Sequence, residues 1–228
     1  MKKVFVLIFA LLLSCKEDNR QIIRVGSTGD YPPYTYTKDN QMVGEDIELI
    51  AKILNNKGYR GLFEQYVYQD LFVALKKGEI DVIASYVPMD NSDKELIFSS
   101  PYSIDEFVLI SNTQTFADNM NPSTIAVVNN APAHFIAKDK FKDKKIITFR
   151  NFDELMKIFR LGDIDALIAD KNMFLHYNEN SLDNKKYFFS KRLSKNKIGF
   201  VVKGNSKNGK ELIININAYL KEKRITIK

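Results

Sequence analysis

The chain of 228 residues carries one cysteine, two histidines and ten glycines. A single thiol excludes an internal disulfide, so the stability of the fold has to come from its core. One cysteine and two isolated histidines, His134 and His176, also rule out a metal cluster of Cys/His spacing. The histidines are expected at the surface or supporting other side chains, not at a reacting centre. The glycines are not gathered into a phosphate-cradling loop. No Ser/His/Asp pattern suggests nucleophilic catalysis. Unmixed charge is scarce too. The net charge is +6, but lysines and acids alternate in "KDKFKDKK" and "KEKR", which reads as a solvated face and not as a nucleic-acid patch. The longest apolar run, "VFVLIFALLL", is too short to span a bilayer comfortably.

What is present is an ordinary globular balance, 45% hydrophobic and 27% charged, enough for a real core. The length suits one large domain or two small lobes. At the N-terminus, "MKK" is a positive n-region and the apolar run an h-region, which reads as a signal segment. It ends in "LLLSC". Apolar, apolar, small, Cys resembles the bacterial lipobox, which implies cleavage before Cys15 and a lipid on its sulfur. At ~0.8 kcal/mol per buried methylene, several acyl chains would anchor the protein durably. Residues 1–15 are thus read as signal and lipobox, and 16–21 as a polar tether.

From Ile22 onward strands and helices alternate. "IIRVG" is a strand, broken by "STGDYPP". "EDIELIAKIL" places Ile47, Ile50, Ala51 and Leu54 at helical spacing behind acidic residues. "GLFEQYVY" is a strand, "QDLFVALKK" a helix closing at Gly78, and "IDVIASY" a strand. After an extended run, "EFVLISN", the series restarts with "TIAVVNN", "APAHFIAKDK", "KIITF", "FDELMKIFR" and "IDALIAD". A second extended run, "KIGFVVKG", precedes a last helix, "GKELIININAYLKEK". The stretches "KGEIDVIASY" and "LGDIDALIAD" are one helix–turn–strand device written twice. This predicts an α/β fold of two lobes, each a mostly parallel sheet flanked by helices. Lobe one is expected at 22–108, completed by 204–228, and lobe two at 109–203, with crossings near 108–112 and 198–203. Ligands of parallel sheets sit beyond the strands' carboxyl ends, here Ser85 and Tyr86 in one repeat and Ala169 and Asp170 in the other.

Five segments in order, "RVGSTGDYPPYTY", "GEDIELIAKIL", "LKKGEIDVIAS", "FSSPYS" and "GDIDALIAD", resemble the type II periplasmic solute-binding proteins of the polar amino-acid uptake class (bacterial extracellular solute-binding proteins, family 3). The likeness covers essentially the whole mature chain. It implies a non-enzymatic, cofactor-free, monomeric lipoprotein that delivers a small solute to an ABC transporter permease. It also implies an aromatic stacking on the ligand, at Tyr31, backbone and hydroxyl contacts at Ser85 to Pro88, and an aspartate for the ligand ammonium, at Asp170. As a helix cap, Asp170 would instead serve the fold. Asp30, Tyr31, Tyr34, Tyr86 and Asp170 together suit a cationic or neutral polar ligand. The arginine that usually forks onto an amino acid's carboxylate is absent from "SYVPMDNSDKELIFSSPY", where Lys94 is the nearest cation and Ser92 with Glu95 resembles a capping box. Asn129, Asn130 and the amides opening the next helix offer a second anion cradle.

Two other functions fit parts of the sequence. "STGDYPPY" is similar to the opening of periplasmic cyclohexadienyl dehydratases, which share the fold. Their chemistry needs a proton donor where this chain has Met173, and cations for the substrate carboxylates. A ligand-sensing or partner-binding lipoprotein outside transport is the third reading.

Overall fold

The computed structural model describes residues 18–86, 93–179 and 185–225, with backbone alone at Ser85 and Tyr86. Cys15, Ser92 and the side chains of Ser85 and Tyr86 therefore lie outside the described residues. Chain order opens with β1 (Ile22–Ser27), β2 (Asp30–Tyr31), β3 (Thr35–Lys38), β4 (Gln41–Val43), α1 (Glu45–Asn56), β5 (Arg60–Gln65), α2 (Tyr68–Lys77), β6 (Val82–Tyr86) and β7 (Leu96–Phe98). It continues with β8 (Ser103–Ser111), α3 (Gln114–Asn119), β9 (Thr124–Val128), α4 (Pro132–Lys140), β10 (Lys145–Phe149), α5 (Phe152–Leu161), β11 (Ala166–Asp170) and α6 (Lys171–Glu179). β12 (Phe188–Phe189), β13 (Ser194–Lys203) and α7 (Lys207–Glu222) complete it.

The helices form where the apolar spacing and the end signals agree. α1 buries Ile47, Ile50, Ile53 and Leu54, with Glu45, Asp46 and Glu48 in its first turn, where carboxylates favour the positive end of the helix dipole. Ile53 takes the deep position expected for Ala51, which is only half-buried. α5 is capped by Asn151, whose side chain accepts from Glu154 N–H, and it buries Phe152, Leu155, Met156 and Phe159. α7 is capped by Ser206, which accepts from Gly209 N–H, and turns Leu212, Ile213, Ile216 and Leu220 inward. Each fully buried Leu, Ile or Phe contributes about 1.5–3 kcal/mol, so these faces, and not helix propensity, hold the elements in place.

The main sheet runs β10-β9-β11-β8-β13-β6-β1-β5, with β12 on β8 and β7 on β13. Within each half the core strands are parallel: β1 with β5 and β6, and β9 with β10 and β11. β8 and β13 run antiparallel to their partners, so the sheet is mixed. β13 joins the halves. Its Ser194 to Ile198 pair with β8, and its Gly199 to Val202 with β6, with a register irregularity between Gly199 and Val201. In β8, Ile104 to Phe107 already pair with β13 or β11. Val108 to Ile110 pair with β11 in the second half, so they do not sit at a crossing.

Each half has apolar packing on both sheet faces. In the first, α1 and α7 cover one face with Val25, Val82 and Phe200 at its centre. α2 covers the other with Leu71, Leu75 and Ile83. In the second, α5 and α6 pack on Ala126, Leu167 and Ala169, while α4 packs on Ile125, Val127 and Ile168. This is the two-lobed α/β architecture that the alternation of elements predicts. The small antiparallel sheet β2-β3-β4, the short strands β7 and β12, and helix α3 were not anticipated, whereas α6 follows directly on Asp170 as the cap reading expects.

Candidate functional site

A cavity of about 360 Å³ lies between the halves. It is built where parallel strands end. After β1 come Thr28, Asp30 and Tyr31; after β5 come Tyr66, Val67 and Tyr68; after β10 come Arg150, Asn151 and Phe152; all of them line it. A parallel sheet leaves the carboxyl ends of its strands without further partners and fills the space with loops, so side chains from several loops converge there. Phe107, Leu71 and Met173 complete an apolar wall. The size falls within the roughly 300–1,000 Å³ of small-molecule sites.

Hydrogen bonds join the two sides of the cavity. Asp30 Oδ2 accepts from Phe152 N–H at 3.2 Å, the first amide of α5, which has no partner inside its own helix. Asn129 Nδ2 donates to Gln69 Oε1 at 3.3 Å. Burial holds the Asp30 carboxyl above the usual carboxylate range, against the opposing pull of hydrogen bonds from Thr28 and Phe152 N–H. A carboxylate so placed gains from any cation that enters the cavity.

Tyr31 also lines the cavity. Its ring packs against the core of both halves and stands 5.3 Å from the Tyr34 ring. Its hydroxyl donates to Asp105 Oδ2 at 3.4 Å, and burial, then the Asp105 charge, raises its pKa well above the ordinary phenol value. Tyr34 is 4% exposed and belongs to the core of the first half. It does not reach the cavity wall; burial raises its pKa, and the charge of Asp170 adds to this. Asp105 is fully buried. Desolvation, followed by the nearby charge of Asp170, pushes its carboxyl up to about 7.

Asp170 stands apart from the cavity. It has no exposed surface. Oδ1 accepts from Met173 N–H at 2.8 Å and Oδ2 from Glu106 N–H at 2.7 Å. One oxygen therefore caps α6, and the other ties that cap to β8. Burial raises its pKa while these backbone hydrogen bonds oppose the rise. Asn130 is exposed and does not line the cavity. It sits at φ 55°, and its N–H donates to His134 Nδ1 at 3.1 Å. His134 is buried at 6% exposure, not on the surface, with its pKa lowered by burial and then by Lys138. His176 is half-buried beside Tyr36, ring centroids 5.8 Å apart. Of the residues singled out in the sequence, the structure brings Asp30 and Tyr31 to the cavity wall. Tyr34 and Asp170 are buried and Asn130 is exposed, and none of the three lines it. Tyr66, Tyr68, Phe107, Arg150 and Phe152 were missed. The strand-end rule, applied to β5 and β10 as well as to the two repeats, would have found four of the five.

A cleft at the strand ends of two paired α/β lobes is the kind of place where such folds enclose a small molecule. The model of the bacterial extracellular solute-binding proteins, family 3, matches residues 23–224, and the chain belongs to that family. The chain is 25% identical over 193 residues to the probable amino-acid-binding protein YxeM of Bacillus subtilis (strain 168), covering 77% of this chain and 73% of that protein. It is 24% identical over 167 residues to a probable amino-acid ABC transporter-binding protein of Haemophilus influenzae, covering 70% and 64%. Among solved structures, an ancestral arginine-binding protein bound to arginine superposes with a TM-score of 0.79 at 25% identity, covering 90% of this chain and 93% of that one. These relatives are binding proteins and not enzymes. At the position where the resemblance to a dehydratase would call for an acid stands Met173, a buried residue of the cavity lining, whose thioether has no proton to donate. Among the described residues no helix is long and apolar enough to cross a membrane.

Proposed function

We propose that this protein captures an amino acid or a related amine between its two lobes, outside the cytoplasm, and delivers it to the permease of an ABC transporter. A lipid on Cys15 holds it at the membrane, with 16–21 as tether. The observation that carries the reading is the cavity itself, walled by strand ends of both halves and bridged by the contact from Asp30 to Phe152 N–H. Asp30 receives the ligand's ammonium and Tyr31 supplies a flat wall with a polar rim. Asp170 serves the fold, because both of its oxygens are already occupied by backbone amides. The lobes turn about residues 99–103 and about Ile198 and Gly199, where the strand pairing changes partner. The names of relatives that bind amino acids for ABC transporters support the transport role.

The test is calorimetry of the purified protein against the twenty amino acids and their decarboxylated amines. Saturable binding at one site per chain is expected for at least one of them. The absence of saturable binding across the panel would contradict the proposal.

A further inference from the structure

Among the described residues Arg150 is the one lysine or arginine that lines the cavity. Its backbone is fixed by the start of α5: Arg150 N–H donates to Glu154 Oε2 at 3.1 Å, and Glu154 N–H to Asn151 Oδ1 at 2.9 Å. The two neighbouring carboxylates are engaged elsewhere. Glu154 takes the Arg150 amide, and Asp153 Oδ1 accepts from Tyr177 hydroxyl at 2.6 Å. The guanidinium makes no hydrogen bond or ion pair with a described residue. The opening of α4, the other place where an anion might sit, is largely spent. Asn130 N–H goes to His134 Nδ1 and Ala131 N–H to the Val128 carbonyl at 3.3 Å, while Pro132 has no N–H. The same cavity is lined by the aromatic and apolar side chains of Tyr66, Tyr68, Leu71, Phe107, Phe152 and Met173.

We propose that Arg150 binds the carboxylate of the solute, and that the solute is a small α-amino acid or carboxylate with an apolar or aromatic body. A guanidinium presents two parallel N–H donors that match a carboxylate fork, and the positive end of α5 adds to the attraction. The aromatic wall accepts a flat apolar side chain. The carboxyl of Asp30, facing the same cavity, meets the ammonium when one is present. This inference rests on the cavity being the solute site and names the class of solute that it takes.

The test measures binding of L-phenylalanine, 3-phenylpropanoate and 2-phenylethylamine by calorimetry to the purified protein and to its Arg150→Gln and Arg150→Lys variants. In the unaltered protein, L-phenylalanine is expected to bind at least about tenfold more tightly than 2-phenylethylamine, because the amine leaves the guanidinium without its charged partner. Arg150→Gln should weaken both carboxylates by a similar factor and leave the amine unchanged. Arg150→Lys should recover part of the loss, since it keeps the charge without the fork. Carboxylate affinities unmoved in Arg150→Gln, or an equal loss for all three probes, would overturn the role of Arg150. Binding of a polar amino acid without any of the phenyl probes would overturn the solute class and leave the cavity reading standing. If none of the three probes and none of the twenty amino acids binds, the cavity reading itself fails.

Discussion

In the first half, α2 ends at Gly78 with φ 76°, and the chain turns through Ile80 and Asp81 into β6. In the second, α5 ends at Gly162 with φ 91°, and the chain turns through Ile164 and Asp165 into β11. Both glycines hold a left-handed backbone that side chains resist. Both isoleucines are buried, at 1% and 3% exposure. Asp81 Oδ2 accepts from Arg24 N–H at 2.9 Å, and Asp165 Oδ2 from Ser123 and Thr124 N–H at 2.8 and 2.9 Å. Each turn aspartate thus ties down the neighbouring parallel strand, β1 or β9. Asp81 adds an ion pair to the Arg24 side chain at 2.9 Å, whereas the Asp165 carboxylate, among the described residues, meets backbone amides alone. The shared residues build the scaffold. The copies diverge at their strand ends, where β11 finishes in an aspartate that caps the next helix. The lesson is that a repeated motif marks where a site lies without naming the residues that serve it.

The largest expected effect that sharpens this contrast is at Asp170. Asp170→Ala leaves Glu106 and Met173 N–H buried without acceptors, and each such group costs about 1–3 kcal/mol. Denaturant unfolding should show a loss of roughly 3 kcal/mol; a loss below about 1 kcal/mol would mean that the cap matters little.

Next is the carboxyl beside it. The first half carries no such neighbour at its strand end among the described side chains, but Asp105 faces Asp170, Tyr31 and Asn196. Its pKa stands at about 7 in the fold against 3.8 for the free side chain. Between those values the folded state holds a proton that the unfolded state releases, so stability falls as pH rises through about 4 to 7 and levels off above it. Asp105→Asn should flatten that slope and be more stable than the unaltered protein above pH 7, by about 1–3 kcal/mol, since one pKa unit corresponds to about 1.4 kcal/mol and the pair shares the effect. Thermal melts across pH 4 to 8 check this; a variant with an unchanged slope would contradict it.

The smallest effect compares the two turns directly. Asp165→Ala strands two amides and should cost about 2 kcal/mol. Asp81→Ala strands one and breaks a half-exposed ion pair worth under about 1 kcal/mol, for a total nearer 1. Equal losses in parallel denaturant titrations would remove the distinction between the turns.

Much of the scaffold was legible because hydrophobic period and end signals agree in it. Gly78 closing α2, the apolar face of α5, and the paired turns all follow from local rules. β2 escaped because Asp30 and Tyr31 are two residues inside a turn-rich stretch, and their pairing with Thr35 and Tyr36 leaves no periodicity. The Asp170 question could not be settled from sequence, since a cap and a ligand anchor call for the same residue type in the same place, and only the direction of its two oxygens separates them. Arg150 was overlooked for a different reason. The resemblance places a carboxylate fork at the strand end of the first half, while this chain carries its cavity cation after β10 in the second.

The most direct test of the central claim is calorimetry of Asp30→Asn and Asp170→Asn side by side, each titrated with the amino acid that binds the unaltered protein most tightly. Asp30 reaches the cavity with a carboxyl that a ligand ammonium can engage, whereas Asp170 is enclosed by backbone amides. The account predicts that Asp30→Asn weakens binding at least about tenfold and that Asp170→Asn, once shown to be folded, stays within about threefold, because Asn still caps a helix. Near-native affinity in Asp30→Asn together with a tenfold loss in folded Asp170→Asn would contradict it.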